Sequence, residues 1–302
     1  LSGQDVVGEV VPGTENANPA LLEQAGETMS KKVLIVLSEF GYWGEELLGP
    51  VATFDERGYQ SVFATPTGAR ARALPPSLDP GYIDPPLGRS VTTPEVAVAA
   101  KELDESSRLD NPISLADWIP DRPYNAEHDF LRKIEAYHRE LGPLVDDIKQ
   151  YDALVIVGGS GPIVDLANNG RLHELILAFV RADKPVVGEC YGVAPLAFAR
   201  DWEDRESIIW GKHVTGHCKE YDYKDGTGFV GVDFNMGPPP YPLEYILRDA
   251  TGPDGRYHGN VGKELSVIVD YPFITARSTP DSFLAGEKLV EVLESGLRRF
   301  GW

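Results

Sequence analysis

Pro185-Val-Val-Gly-Glu-Cys190-Tyr-Gly-Val-Ala-Pro195-Leu-Ala-Phe198 is an apolar strand-type run that passes straight into residues suited to the opening of a helix. A strand-turn-helix junction of this kind forces its central residue into a strained backbone and lifts that side chain above the C-terminal edge of a sheet. Cys190 holds that position. Open α/β sheets bind ligands at the carboxyl ends of their strands, so this stretch points both to the fold and to where chemistry would sit. A helix N-terminus close to the sulfur favours thiolate and predicts a pKa below the ordinary value of about 8.5. A lone cysteine at a sheet edge can equally be a small buried hydrophobe, but the glycines around this one favour a reactive group.

Upstream, Lys31-Lys-Val-Leu-Ile-Val-Leu-Ser38 is a continuous β-branched run, as expected of a central parallel strand buried on both faces. After a Gly/aromatic loop, Glu45 to Arg57 places Leu47, Leu48, Val51 and Phe54 at helical spacing and stops at Gly58. Tyr59 to Thr65 is a second strand and completes a β-α-β unit. Asp152 to Gly159 is a further buried strand ending in a glycine loop, and Asn169 to Ala182 an amphipathic helix. Later pieces read as strands at Ser207 to Trp210, His213 to Thr215, Ser266 to Asp270 and Phe273 to Ala276. Helices are expected at Glu127 to Lys149, broken near Gly142-Pro143, at Pro242 to Arg248 and at Phe283 to Arg299. The sum is an α/β fold, a flavodoxin-like three-layer sandwich around a mostly parallel sheet. Residues 66–128 break the rhythm with repeated prolines and are expected to form a cap or lid insertion within a domain of residues 31–302. Residues 1–30 read as a partly ordered extension without the character of a secretory signal.

The chain has 302 residues, 42% of them hydrophobic, and 28 Lys+Arg against 47 Asp+Glu, a formal net charge of −19. That field repels phosphate backbones and anionic headgroups, so neither nucleic acid nor membrane is expected as a partner. No apolar run approaches the roughly 18 residues of a transmembrane helix. Two cysteines are too few for a disulfide framework, and both read as reduced thiols in a cytoplasmic setting. Cys218 and the scattered histidines lack zinc-site spacing, and no nucleotide-binding glycine motif occurs, so no metal and no cofactor is expected.

Gly188-Glu-Cys-Tyr-Gly-Val-Ala-Pro195, Gly158-Gly-Ser-Gly161 and Glu46 together resemble the DJ-1/PfpI superfamily of the class I glutamine amidotransferase-like fold, in particular its larger Hsp31-like branch. Val214-Thr-Gly216, Pro242-Leu-Glu244 and Phe273 to Pro280 add to the likeness, which spans Lys32 to Leu297. The resemblance implies Cys190 as nucleophile, Glu46 as the protonated carboxyl that donates to the sulfur, and an oxyanion site from Gly159, Ser160, Gly161 and the Tyr191 amide. Glu45 is the fallback should the register slip by one. It also implies a homodimer.

Most Hsp31-like proteins carry His after the nucleophile, and this chain has Tyr191, a poor base with a phenol pKa near 10. Asp222 matches the triad acid yet has no sequence-adjacent imidazole to orient. His217 could supply a base from another direction, and His258 has a lesser claim. Tyr42, Trp43, Trp118 and Tyr223 are expected to rim the pocket. The resulting expectation is a cysteine-dependent enzyme on a small electrophile, of hydratase/lyase or hydrolase type and related to glyoxalase III. The alternative is a redox-sensing stress-response protein or a holdase of the Hsp31 type.

Overall fold

A computed structural model of the chain describes residues 30–222 and 242–302. It opens with β1 (Lys32–Val36), α1 (Gly44–Glu56) and β2 (Gln60–Thr65), followed by α2 (Pro94–Glu105), β3 (Ile113–Ser114) and α3 (Leu115–Trp118). Next come α4 (Phe130–Leu141), α5 (Leu144–Asp147), β4 (Ala153–Ile156), α6 (Pro162–Asp165), α7 (Gly170–Arg181), β5 (Val186–Glu189) and α8 (Ala194–Phe198). The last part holds β6 (His213–Val214), α9 (Leu243–Thr251), β7 (Arg256–Tyr257), β8 (Val267–Asp270), β9 (Phe273–Ala276), α10 (Ser282–Ser295) and β10 (Arg299–Phe300).

Eight strands form one sheet in the order β10-β8-β9-β5-β4-β1-β2-β3. From β9 to β3 every pairing is parallel, whereas β8 runs antiparallel to both β9 and β10. The apolar strand runs alternate between faces, as the two-residue period requires. Leu34, Val36, Leu154 and Ile156 enter one core with α7, α8 and α9. Val33, Ile35, Val155 and Val187 enter the other with α1 and α10. Both faces are thus covered, which makes the central strands apolar throughout and yields the three-layer sandwich expected from the sequence.

Three local readings are corrected. Ser207 to Trp210 is a turn whose Ser207 only bridges Arg200, because Gly211 at φ +73° reverses the chain immediately afterwards. The closing helix stops at Gly296, which takes the left-handed conformation, and the tail returns as β10 against β8. The Pro-rich segment 66–128 contains a full helix, α2, started by Pro94 at its first position and by Thr93, whose Oγ1 accepts from the Val96 N–H at 3.3 Å. The same segment contributes β3, paired to β2 at the sheet edge.

Candidate active site

Four chain crossings at the C-terminal edge of the sheet converge on Cys190. β5 delivers the residue, and the chain turns there with Cys190 at φ +52°, a left-handed conformation rare for a side chain with Cβ. The following 190–193 segment is a single 3-10 turn before α8, so the cysteine is the strained corner read from the sequence. It is 6% exposed.

The loop after β4 lies directly alongside. Gly159 takes φ +95°, and its N–H, together with that of Tyr191, points at the Cys190 sulfur. Gly158 is glycine for lack of room: a Cβ there would come within 2.2 Å of Glu46 Oε2 and 2.7 Å of the Cys190 Cβ. Those distances also show how closely Glu46 and Cys190 approach each other. Ser160 is exposed, and Gly161 packs under the Gly41 carbonyl, so of the three loop residues only Gly159 turns a donor to the sulfur.

Glu46 comes from the first turn of α1 and is 1% exposed. Thr279 Oγ1 donates to its Oε1 at 3.0 Å. Burial raises its pKa from 4.5 to about 8, the hydrogen bonds from Thr279 and Cys190 only partly opposing this, so the carboxyl is neutral at pH 7. Glu45 is also buried and raised to about 7 by the same cause, but it is Glu46 whose Oε2 faces the Gly158 and Cys190 corner.

The segment after β6 brings an imidazole to the sulfur. His217 Nδ1 lies 3.5 Å from Cys190 Sγ, and the His217 N–H bonds the Cys190 carbonyl at 3.4 Å. Its Nε2 lies 3.0 Å from Asp222 Oδ1, bent away from a straight hydrogen bond. Asp222, read from sequence as having no adjacent imidazole, thus lies beside one that chain reversal brings to it. Tyr191 OH donates to the same Asp222 Oδ1 at 2.7 Å, and its ring stacks on His217 with centroids 4.2 Å apart at 22°.

The thiol itself departs from expectation. Burial, and then the neighbouring Glu46, push Cys190 well above the usual thiol value, against the pull of the Gly159 and Tyr191 amides. A 3-10 turn followed by a five-residue α8 has little macrodipole to set against that desolvation. The resting sulfur is a thiol that needs a base to ionise it.

Sequence reading missed two buried partners. Glu189, 2% exposed, ends β5 beside Cys190, and its Oε1 meets Ser282 Oγ. Ser282 Oγ also lies 2.6 Å from the Thr279 carbonyl. The Ser282 hydroxyl donates toward both oxygens, and burial pushes the Glu189 carboxyl well above the usual carboxylate range. A glutamate closing an otherwise apolar strand was the available signal. Thr279 had none.

Several expected participants lie elsewhere. Tyr42 is a core residue, 1% exposed, whose OH donates to Asp104 Oδ1 at 2.7 Å. Trp118 packs on Tyr151, just before β4, and donates to Asp147 at the end of α5, at the end of β4 opposite Gly158. Trp43 does border the site, its N–H bonding the Gly158 carbonyl at 3.2 Å. His258 pairs with His213, the Nδ1···Nε2 separation being 2.8 Å. Tyr223 lies outside the described residues. Cys218 is fully buried, and burial raises it to about 12. Among the described residues no three His, Cys, Asp or Glu side chains converge as a metal site, and no helix is long and apolar enough to cross a membrane.

Comparison with known proteins agrees with this architecture. The bovine (Bos taurus) glutamine amidotransferase-like class 1 domain-containing protein 1 is 27% identical over 144 residues, 48% of this chain. The match spans 60% of that relative's length. The solved structure of Rapid Encystment Protein 24 KDa from Francisella tularensis superposes with a TM-score of 0.60 at 21% identity, covering 87% of this chain and 99% of that one. Glyoxalase III from Candida albicans gives 0.59 at 17% identity, covering 88% and 98%. At such identities the structural likeness is one of fold. The family model described as ThiJ/PfpI family-like matches residues 37–226, well over half of the sequence, and the chain belongs to that family.

Proposed function

We propose that the protein is a cysteine-dependent enzyme acting on a small carbonyl electrophile, with Cys190 as nucleophile and His217 as its base. The observation that carries this reading is the line Cys190 Sγ, His217, Asp222, with separations of 3.5 Å and 3.0 Å. A nucleophile, a base within reach and a third group orienting the base is the general pattern of activated thiols and hydroxyls.

In the neutral tautomer with its proton on Nε2, His217 turns an acceptor to the thiol, while its N–H lies close to the Asp222 carboxylate without being aligned on it. As a substrate carbonyl settles on the sulfur, the thiol proton passes to Nδ1 and the S–C bond forms. The carbonyl electrons move onto oxygen, which the Gly159 and Tyr191 amides beside the sulfur are the nearest backbone donors to receive. Such preorganised donors contribute roughly 3–4 kcal/mol to a transition state. Glu46, neutral below about pH 8, adds no charge beside the sulfur and has a proton to give to it. The imidazolium then returns its proton to the alkoxide or to a leaving group. With a 2-oxoaldehyde the first adduct is a hemithioacetal; with an activated amide it leads to a thioester that water releases. Both fit the lyase and hydrolase types, with His217 as the base that the Tyr191 phenol cannot be at neutral pH.

The redox-sensor alternative draws less support, because an easily oxidised thiol is ionised and accessible, and Cys190 is 6% exposed and pushed up in pKa. The test is turnover of a panel of 2-oxoaldehydes, activated amides and isocyanides. Activity on one class, abolished in Cys190→Ala, supports the proposal. No turnover of any carbonyl, together with Cys190-independent suppression of client aggregation, contradicts it.

A further inference from the structure

Tyr191 follows the nucleophile directly, at a position where a phenol is useless as a base at neutral pH, yet it is built into the site at both ends of its side chain. Its hydroxyl donates to Asp222 Oδ1 at 2.7 Å, the oxygen that also faces His217 Nε2 at 3.0 Å. Its ring lies on the His217 imidazole, centroids 4.2 Å apart and planes 22° from parallel. The two rings thus share one carboxylate oxygen and one stacking surface.

We propose that Tyr191 is a positioning residue: its ring fixes the plane of the His217 imidazole over Cys190, and its hydroxyl moderates the charge that Asp222 presents to the imidazole. The inference rests on the Cys190–His217–Asp222 reading above and assigns within it a residue that touches no reacting atom through its side chain. A rigid aromatic face restrains a neighbouring ring in rotation and tilt, and small losses of alignment at a proton-transfer pair are costly. A donor to a carboxylate stabilises the anion where it is, and so weakens its hold on protons nearby.

The groups facing the pair fix the direction of the effect. Tyr191 and Glu189 flank the nucleophile, Glu46 faces the sulfur from α1, and Asp222 and Tyr221 face the imidazole from its own loop. Arg277, after β9, lies over the Tyr221 ring at 5.7 Å. Removing the Tyr191 hydroxyl leaves this set of charges in place while freeing more of Asp222's negative charge. Added negative potential holds protons more tightly on a coupled pair whichever member carries them, so the pH profile of Cys190 reactivity moves to higher pH.

The experiment is the pH profile of Cys190 alkylation by iodoacetamide, read by mass spectrometry of intact protein, in wild type, Tyr191→Phe, Tyr191→Ala and Asp222→Asn, each with its melting temperature. The expected result is an upward displacement for Tyr191→Phe, a downward one for Asp222→Asn, and for Tyr191→Ala a rate roughly ten- to a hundredfold lower at every pH. A hydroxyl that merely anchors the loop would change the melting temperature of Tyr191→Phe and leave its profile on that of wild type. A Tyr191→Phe profile that superposes on wild type while Asp222→Asn moves overturns this inference and leaves the triad standing. If neither variant moves the profile, the triad reading itself is overturned.

Discussion

His217 Nδ1 stands 3.5 Å from Cys190 Sγ although 27 residues of sequence separate them. The approach is made by the turn after β6, where the His217 amide also ties to the Cys190 carbonyl. It puts an imidazole beside the buried thiol where sequence adjacency offers only a phenol, and it sets the two cysteines of the chain apart. Cys218 is fully buried with its thiol pushed to about 12, whereas Cys190 is 6% exposed with an imidazole and two amides at its sulfur. Iodoacetamide at neutral pH is expected to label Cys190 well before Cys218, as peptide mapping would read. Equal labelling would count against an activated sulfur.

Glu46 makes stability depend on pH. Its folded pKa, about 8, lies above the ordinary 4.5, so between those values the folded state keeps a proton that the unfolded state has lost. This group therefore costs nothing in acid, below the unfolded value. Its destabilising contribution grows by roughly 1.4 kcal/mol for each step of one in pH between the two values, and it levels off above about 8. Glu46→Gln removes the linkage. Its stability relative to wild type should improve between pH 5 and pH 8, by an amount on the order of a few kcal/mol. Urea melts across that range that run parallel for the two proteins would show Glu46 to be an ordinary ionised carboxylate.

Glu189 is expected to be a neutral carboxyl at pH 7 that accepts from Ser282 Oγ, because burial pushes it well above the usual carboxylate range. An amide can do the same. Glu189→Gln should therefore alter stability at pH 7 by less than about 1 kcal/mol, whereas Glu189→Ala, which also empties a packed position, should cost about 2–4 kcal/mol. A severe loss in the glutamine variant would mean that the carboxylate is ionised and paired.

Gly158 sets the distance between the acid and the thiol. A methyl group there would meet Glu46 Oε2 at 2.2 Å and the Glu189 carbonyl at 2.4 Å, the latter being backbone that cannot swing aside. Gly158→Ala should destabilise by about 1–3 kcal/mol or more and, in whatever protein folds, displace Glu46 and alter the pH dependence of Cys190 alkylation. An unaltered melting temperature and profile would show that the loop has slack that these contacts deny.

The sheet was legible because its strands are short runs rich in β-branched apolar residues, and Val33 to Val36, Ala153 to Ile156 and Val186 to Glu189 all became central parallel strands. The elbow was legible because Gly188 and Gly192 bracket Cys190. α2 was obscured because Pro94 reads as one more breaker in a Pro-rich tract, when Thr93-Pro94 is a helix start. β10 is two residues long and acquires its identity only by pairing with β8. The Cys190–His217–Asp222 arrangement depends on how residues 213–222 fold back over β5, a tertiary event with no period and no motif, so His217 could be named as a candidate but not joined to Asp222. The thiol's direction of shift failed for a quantitative reason: a short 3-10 turn supplies less stabilisation than full burial removes.

The central claim is that His217 takes the proton from Cys190, and the most direct measurement is the rate of Cys190 alkylation by iodoacetamide at pH 7 in His217→Ala against wild type, with circular dichroism to confirm the fold. A positioned base contributes roughly a hundredfold or more to such a transfer, so the variant should react at least about tenfold more slowly. A folded His217→Ala protein whose Cys190 alkylates at the wild-type rate would contradict the account.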